Sequence, residues 1–202
     1  MQPKPTRHRT SPRKYKLISI STGYNHTFGK NRSGNPDFLA ENADKFGYKY
    51  ICVPPQMFND QIISSTLIRK LLKEGNILLA NRLLGTNFML EGTVIRGAQL
   101  GRTIGFPTAN IKYTPEIVQI PFGVYSARVN NRPAVLNWGM KPTVHNTKEP
   151  IVEVHIINFD GDLYGKNIEI EITSKIRDEK KFSGLEELRT QIEKDVKECL
   201  KL

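Results

Sequence analysis

The spacing of apolar residues changes near residue 86, and this change limits the possible folds of the 202-residue chain more than any other feature. Upstream, apolar residues recur at helical intervals, as in residues 68–72. Downstream they alternate with polar residues, most clearly in residues 167–172, where three isoleucines alternate with two glutamates. Alternation with a period of two is typical of a strand that buries one face. The downstream part is therefore predicted to be mainly β.

Short strands, rather than strand–helix repeats, make up this downstream part. Turn-forming Gly, Pro and Asn residues separate the strands, and no βαβ rhythm is present. This pattern predicts a small antiparallel sheet or a closed barrel. The alternation marks five strand candidates, at residues 89–96, 124–129, 134–138, 151–159 and 167–172.

An amphipathic helix is predicted after the last strand. Ser183 and Glu186 have the spacing of a capping box, which marks where the helix begins. Apolar residues then recur every three or four positions, as expected for a helix that packs on a sheet. The predicted buried stripe has five members: Leu185, Leu188, Ile192, Val196 and Leu200.

The upstream part of the chain combines strands and helices. Residues 1–16 contain three prolines and many charges, and they are predicted to be disordered. The apolar segments 16–22 and 48–54 predict two short strands.

Two helices are predicted to end the upstream part. The first begins at an N-cap, either Ser64 or Ser65, the second covers residues 77–84, and a glycine follows each. We therefore place a domain boundary at the second glycine, which divides the chain into residues 1–85 and 86–202.

The net charge of +10 is concentrated at one end, since residues 1–36 hold eight basic residues and no acidic one. A basic end of this kind can bind RNA or anionic lipid, or act as a transit peptide. The segment has few aromatic residues for base stacking, matches no nucleic-acid-binding module and lacks an amphipathic period. We therefore expect no nucleic-acid partner, and we interpret the segment as an irregular start to the upstream domain.

Hydropathy and cysteine content indicate the compartment. No apolar run approaches the ~18 residues of a bilayer-spanning helix, so no membrane partner is predicted. Cys52 and Cys199 form no Cys-x-x-Cys pair, which argues against a thiolate metal site and favours the reducing cytoplasm. The sequence indicates no oligomeric state.

A glycine-rich segment at residues 97–110 has the composition of a phosphate-binding loop. Gly97 and Gly101 allow backbone N–H groups to approach an anion, and Arg102 adds a charge-assisted contact. The spacing is neither that of Walker A nor Gly-x-Gly-x-x-Gly. A glycine-rich surface turn that precedes a strand is the alternative interpretation.

Two oxygen-bearing side chains follow in the same segment. Thr108 and Asn110 are two residues apart, so they share a face if the segment is extended. Hydroxyl and amide oxygens suit Mg2+, which takes its remaining ligands from water and substrate phosphates. The pair is therefore a candidate metal site.

The Gly-Phe-Pro-Thr-Ala-Asn segment at residues 105–110 resembles the signature of the riboflavin kinases. Further resemblances follow in the family's order, at residues 123–125, 137–143, 153–155, 162–165 and 177–182. The resemblance implies a six-stranded, Greek-key-like antiparallel barrel with a C-terminal helix. It also implies ATP-dependent phosphorylation of riboflavin to FMN, with riboflavin, FMN, ATP and ADP as ligands and Mg2+ on Thr108 and Asn110.

The family resemblance identifies Glu153 as the catalytic general base. In the predicted strand 151–159, Glu153 and His155 lie on the face opposite Val152 and Val154. A carboxylate among apolar neighbours is suited to accept a proton from a primary alcohol. The strand pattern alone favours a solvent-facing glutamate, and His155 is a second candidate base.

Three residues between the last strand and the final helix are candidate flavin ligands, because the family closes over the flavin ring there. These are Arg177, Glu179 and Phe182. The alternatives are a solvated pair of Arg177 with Glu179, and a hydrophobic staple at Phe182.

Residues 23–34 and 63–69 resemble the second half of the FMN adenylyltransferase domain of bacterial bifunctional riboflavin kinase/FMN adenylyltransferases, the FAD synthetases. The family's His-x-Gly-His motif is absent, because no two of the four histidines have that spacing. We therefore expect a truncated α/β nucleotidyltransferase remnant before an intact kinase, with FAD formation doubtful. The alternatives are a bifunctional enzyme and a non-catalytic flavin-binding remnant. A remnant ATP motif, which a plain helix cap explains equally well, comprises Ser64, Ser65, Thr66 and Arg69.

Overall fold

A computed structural model describes residues 17–114, 116–140 and 150–201. The predicted disorder of residues 1–16 lies outside the described residues. The chain forms two compact units that divide between Ile62 and Ile63. In the described ranges, no helix is long and apolar enough to cross a bilayer.

The first unit contains a two-stranded parallel sheet, a hairpin and two short helices. The sheet pairs β1 (Ser19–Gly23) with β2 (Lys49–Val53), which confirms the two predicted strands to within a few residues. Between them lie a 3-10 turn and two helices that the apolar pattern did not predict. These elements are Lys30–Arg32, α1 (Pro36–Glu41) and α2 (Ala43–Phe46), and the hairpin strands are β3 (Met57–Phe58) and β4 (Gln61–Ile62).

The second unit opens with the two predicted helices, α3 (Ser65–Lys73) and α4 (Ile77–Leu84). Ser64 is the N-cap of α3, where its Oγ accepts the Leu67 backbone N–H at 3.2 Å. Gly85 ends α4 in the left-handed conformation, with φ 75°. Both helices are thus confirmed.

Helix α4 is attached to the strands that follow it through Asn81. The Asn81 amide donates to the Ile172 carbonyl at 2.9 Å and accepts from the Phe88 backbone N–H at 2.8 Å. This explains why the compact unit begins at Ile63, upstream of the barrel. The domain boundary at residue 85 stays a prediction.

Six strands form a closed barrel, which confirms the predicted fold class. They are β5 (Phe88–Ile95), β6 (Ala109–Tyr113), β7 (Gly123–Val129), β8 (Arg132–Met140), β9 (Pro150–Ile156) and β10 (Asn167–Arg177). The order around the barrel is β10-β5-β6-β9-β8-β7, and every neighbouring pair is antiparallel. Five of these strands correspond to the predicted segments. Strand β6 was not predicted from alternation, because Ile111 is its only fully buried residue.

The barrel interior is closed by large apolar side chains that point inward from alternate positions. Tyr125 is among them, and burial raises the pKa of its hydroxyl, which donates to the Pro121 carbonyl. The other largest members are Leu90, Val129, Leu136, Trp138, Val152, Val154, Ile170 and Ile172. The barrel is therefore a packed core, and ligands must bind at its rim or on its outer face.

Helix α6 (Leu185–Cys199) packs on the outer face of β7 and β8. Its start differs from the prediction, because the N-cap is Gly184 and the carboxylate that contacts Ser183 is Glu187 instead of Glu186. Glu187 accepts the Ser183 backbone N–H at 3.0 Å and the Ser183 hydroxyl at 2.9 Å. The cap is therefore one residue later than the capping-box spacing indicated.

The buried stripe of α6 also differs at its ends. Leu185 and Leu200 are 48% and 56% exposed. Asp195 and Cys199 occupy buried positions instead, at 2% and 4% exposure. The stripe thus contains a buried carboxylate that an apolar period does not reveal.

Candidate active site

Two cavities meet at Thr108, which lines both of them. The first, of about 530 Å3, lies between the rim of β5, β6 and β9 and the loop at residues 159–164. The second, of about 210 Å3, lies on the outer face of β8 and β9 beside α6. Two ligands bound in these cavities would meet at Thr108, the residue before β6.

The glycine-rich loop is packed directly on that junction. A Cβ at Gly97 would collide with the Asn110 side chain, and a Cβ at Gly101 would collide with the Phe106 carbonyl. The Phe106 backbone N–H donates to the Gly101 carbonyl at 2.8 Å, which closes the turn around the short helix α5 (Leu100–Thr103). A Cβ at Gly101 would also lie 3.4 Å from the Thr108 methyl. The absence of side chains thus lets the loop contact both candidate metal ligands.

The first cavity is lined by charged side chains of both signs. Arg102, a candidate phosphate ligand, lines it together with Arg96, which sequence reasoning missed, and the loop at residues 159–164 adds Asp160 and Asp162. Arg96 lies over the Tyr164 ring, with its Cζ 5.3 Å from the ring centroid, and Gln99 donates to the Tyr164 hydroxyl at 3.2 Å. The glycine-rich loop and the loop at 159–164 therefore face each other across this cavity.

The candidate base lies in a row of polar side chains that crosses three strands. Glu153 of β9 is directly opposite Asn110 of β6 on one side and Asn137 of β8 on the other. Residues directly opposite in antiparallel strands project from the same face. Glu153 is half-buried and lines the second cavity with Asn137. The row thus connects the candidate metal ligand to the second cavity through Glu153.

His155, the second candidate base, is tied to the turn before β6. Its Nδ1 lies 2.8 Å from the Pro107 carbonyl, and its ring contacts Phe106 edge-on at 5.4 Å between centroids. Because a carbonyl only accepts, Nδ1 carries the proton in this contact. One ring nitrogen of His155 is therefore engaged in holding the turn that presents Thr108.

Arg177 forms an ion pair with a residue that sequence reasoning missed. Its Nη2 and Nε lie 2.8 Å and 2.9 Å from the Asp195 Oδ2 and Oδ1 atoms, and Gln191 donates to Asp195 at 2.9 Å. The expected alternative, a solvated pair of Arg177 with Glu179, is wrong. The sequence does contain a signal for the acidic partner of this ion pair, because Asp195 lies next to Val196 of the apolar stripe of α6.

Phe182 and Glu179 complete the wall of the second cavity. The Arg177 guanidinium lies 5.8 Å from the Phe182 ring centroid. The Glu179 carboxylate lies against Gly139 of β8, so closely that a Cβ at Gly139 would collide with it. The staple alternative for Phe182 is wrong, because a staple residue directly precedes the N-cap and the N-cap is Gly184. All three candidate flavin ligands therefore line one cavity.

The donor set fits a cation held mainly by its ligand's phosphates. Within the described ranges, no three His, Cys, Asp or Glu residues cluster as metal ligands. The Thr108 hydroxyl and the Asn110 amide supply oxygen atoms on one face of the segment, next to the glycine-rich loop. Such a pair suits Mg2+, which retains water and phosphate ligands.

The upstream ATP motif lies away from both cavities. Ser64 is committed to capping α3, while Ser65, Thr66 and Arg69 are exposed. None of the four lines either cavity. Their role in nucleotide binding stays a prediction.

Comparisons with known proteins agree with this geometry. The family model described as riboflavin kinase matches residues 84–202, and the one described as FAD synthetase matches residues 10–67. The chain is 40% identical over 189 residues to the bifunctional riboflavin kinase/FMN adenylyltransferase of Buchnera aphidicola (Acyrthosiphon pisum), which covers 91% of this chain and 60% of the relative. It is 38% identical over 187 residues to the protein of the same name from Bacillus subtilis, with 89% and 58% covered.

A solved structure gives a similar result. The crystal structure of a Streptococcus pneumoniae protein, described as a macrolide-efflux protein, superposes with a TM-score of 0.74 at 31% identity. The match covers 87% of this chain and 57% of that one. The chain thus spans about 60% of the length of the curated relatives it matches.

Proposed function

Because the chain belongs to the riboflavin kinase family, we propose that its barrel unit transfers the γ-phosphoryl group of ATP to riboflavin and releases FMN and ADP. The observation that carries this proposal is the meeting of two cavities at Thr108. One is lined by two arginines and two aspartates, and the other by an apolar wall and Glu153. A kinase must bring a phosphoryl donor and an alcohol together in line.

The first cavity binds the nucleotide in this proposal. Arg102 lines this cavity and neutralises the charge of the phosphates. Gly97 and Gly101, of which Gly101 lines the second cavity, let the loop pack closely on Asn110 and Thr108. Thr108 and Asn110 would hold Mg2+, which would offset the negative charge on the transferred phosphoryl group. Arg96 adds a second positive charge to the same cavity.

The second cavity binds the flavin. Its apolar wall, which includes Phe106, Phe182 and Ile192, suits a planar aromatic ring. The Glu153 carboxylate accepts the proton of the terminal hydroxyl while that oxygen bonds to the γ-phosphorus and the bond to the β-phosphate oxygen breaks.

The Arg177–Asp195 pair keeps the flavin wall in place. Asp195 is anchored in α6, so the pair fixes the end of β10 and the segment that carries Glu179 and Phe182. Arg177 therefore contributes to flavin binding by holding Phe182 beneath its guanidinium, besides lining the cavity.

FAD formation by this chain is not part of the proposal, because its sequence lacks the His-x-Gly-His motif. The ligands proposed are flavin and adenine nucleotide, without a nucleic-acid or membrane partner. We place the protein in the cytoplasm, since Cys52 and Cys199 are both free thiols.

Incubation with riboflavin, ATP and Mg2+, followed by chromatography of the flavins, tests the proposal. FMN as the only product supports it. FMN together with FAD would show that the upstream residues act as an adenylyltransferase. Bound riboflavin without any product would contradict the kinase assignment.

A further inference from the structure

One polar residue of the second cavity has no role in the mechanism above. Asn137 lies in β8, directly opposite Glu153, and lines the same cavity. It is half-buried, and its side-chain amide makes no hydrogen bond with any other residue that the structure describes. A half-buried amide without a protein partner is costly to desolvate unless a ligand or water pairs with it.

The neighbours of Asn137 are carboxylates. Gly139 lies two positions after Asn137 in β8, on the same face of the strand. A Cβ at Gly139 would lie 3.5 Å from the Asn137 Nδ2 atom and would collide with the Glu179 carboxylate, so Glu179 lies close to Asn137. One side of the cavity thus presents Glu153, Asn137 and Glu179. Apolar side chains, including Phe182, Leu188 and Ile192, line the same cavity.

This polar row matches a chain of hydroxyl groups. Ionised carboxylates only accept hydrogen bonds, whereas the Asn137 amide both donates and accepts. A hydroxyl group also donates and accepts, so a sugar-alcohol chain can pair with all three side chains. An apolar chain would leave the amide unpaired.

Resting on the function proposed above, we propose that the Asn137 amide binds a hydroxyl of the acceptor's sugar-alcohol chain beside the reacting one. Directly opposite residues of an antiparallel pair have Cβ atoms about 5 Å apart. Asn137 therefore anchors the chain one hydroxyl away from Glu153 and holds the reacting hydroxyl at that carboxylate. Asn137 determines specificity for flavins that carry a polyol chain.

The experiment compares Asn137→Val with Asn137→Thr, which have the same shape and differ by one hydroxyl. Dissociation constants are measured by flavin fluorescence for riboflavin and for lumiflavin, a flavin that carries a methyl group in place of the polyol chain. Asn137→Val is expected to weaken riboflavin binding roughly five- to fifteenfold, the effect of one lost hydrogen bond, and to leave lumiflavin binding unchanged. Asn137→Thr is expected to recover part of the loss, with equal thermal midpoints for the two variants.

Other outcomes overturn the proposal. Equal riboflavin binding by the Val variant and the unmodified protein would show that the amide does not hold the chain. An equal loss for both flavins would show that Asn137 shapes the cavity for the ring. If lumiflavin binds too weakly to measure, the Thr variant must exceed the Val variant in riboflavin affinity.

The inference and the proposed function fail in different ways. If the unmodified protein makes FMN and Asn137→Val binds riboflavin normally, only the inference fails. If the unmodified protein binds no flavin, the assignment of the cavity fails, and the inference fails with it.

Discussion

Replacement of Asp195 by Asn removes the charge that balances Arg177 without changing the size of the side chain. The Asp195 side chain is 3% exposed and the Arg177 side chain is 21% exposed, so the pair is largely shielded from water. Loss of one partner from a buried pair destabilises a protein by about 3–5 kcal/mol, because the other charge is left uncompensated. Since the Arg177 guanidinium keeps some contact with solvent, we expect about 3 kcal/mol.

The assay is urea unfolding followed by circular dichroism, together with thermal unfolding. A loss of about 3 kcal/mol corresponds to a midpoint decrease of roughly 6–12 °C for a unit of this size. Riboflavin binding is expected to weaken as well, because the Phe182 segment is held by the pair. The double variant with Arg177→Met is expected to recover at least about 1 kcal/mol relative to the sum of the single changes.

The matched control is Glu193→Gln, on the exposed side of the same helix. Glu193 lies 3.4 Å from Arg189, with both side chains about half exposed. Removal of such a surface pair is expected to change stability by less than about 0.5 kcal/mol. If Asp195→Asn had no larger effect than Glu193→Gln, the pair would not hold α6 to the barrel, and our account of the flavin wall would be refuted.

Three further predictions follow from the cap and the loop. Gly101→Ala is expected to raise the KM for ATP at least tenfold, because the new Cβ would collide with the Phe106 carbonyl of the loop. The control is Gly184→Ala, whose Cβ would have no heavy atom within 4 Å, and we expect it to leave steady-state kinetics unchanged. The backbone N–H of Ser183, then Lys180 and the Ser183 hydroxyl, lower the pKa of Glu187 to about 2, which carboxyl NMR titration measures. A carboxyl whose pKa is lower in the folded state than in the unfolded state stabilises the fold at pH values above the unfolded pKa, here 4.5. The stability that Glu187 contributes should therefore be lost as the pH falls from 4.5 towards 2. A Glu187→Gln variant should lack this part of the pH dependence of unfolding. Thr108→Val, which keeps the shape of threonine, is expected to raise the Mg2+ concentration required for half-maximal activity several-fold, and an unchanged requirement would remove Thr108 from the metal site.

Local sequence signals were sufficient to predict a helix or strand whose own residues mark where it begins and ends and repeat apolar side chains at a regular spacing. Helices α3 and α4 were predicted because Ser64 caps the first and Gly85 ends the second. Five barrel strands were predicted from alternation. Strand β6 was missed because a single buried residue, Ile111, gives no period, and only the family resemblance implied a sixth strand.

Contacts between distant elements were outside the reach of these signals. The Arg177–Asp195 pair joins residues 18 positions apart on a strand and a helix, and no local pattern indicates it. The row of Asn110, Glu153 and Asn137 depends on strand order, because β9 pairs with β6 on one side and with β8 on the other. Sequence alone identified Asn110 and Glu153 as candidates, but it could not show that they are neighbours.

The rate of FMN formation by Glu153→Gln tests the central claim most directly. The variant keeps the size of the side chain and removes its ability to accept a proton. We expect turnover to fall roughly 10²–10⁴-fold, with riboflavin affinity within about threefold of that of the unmodified protein. Near-normal turnover with normal binding would contradict the account, because Glu153 would then not be the base at the junction of the two cavities.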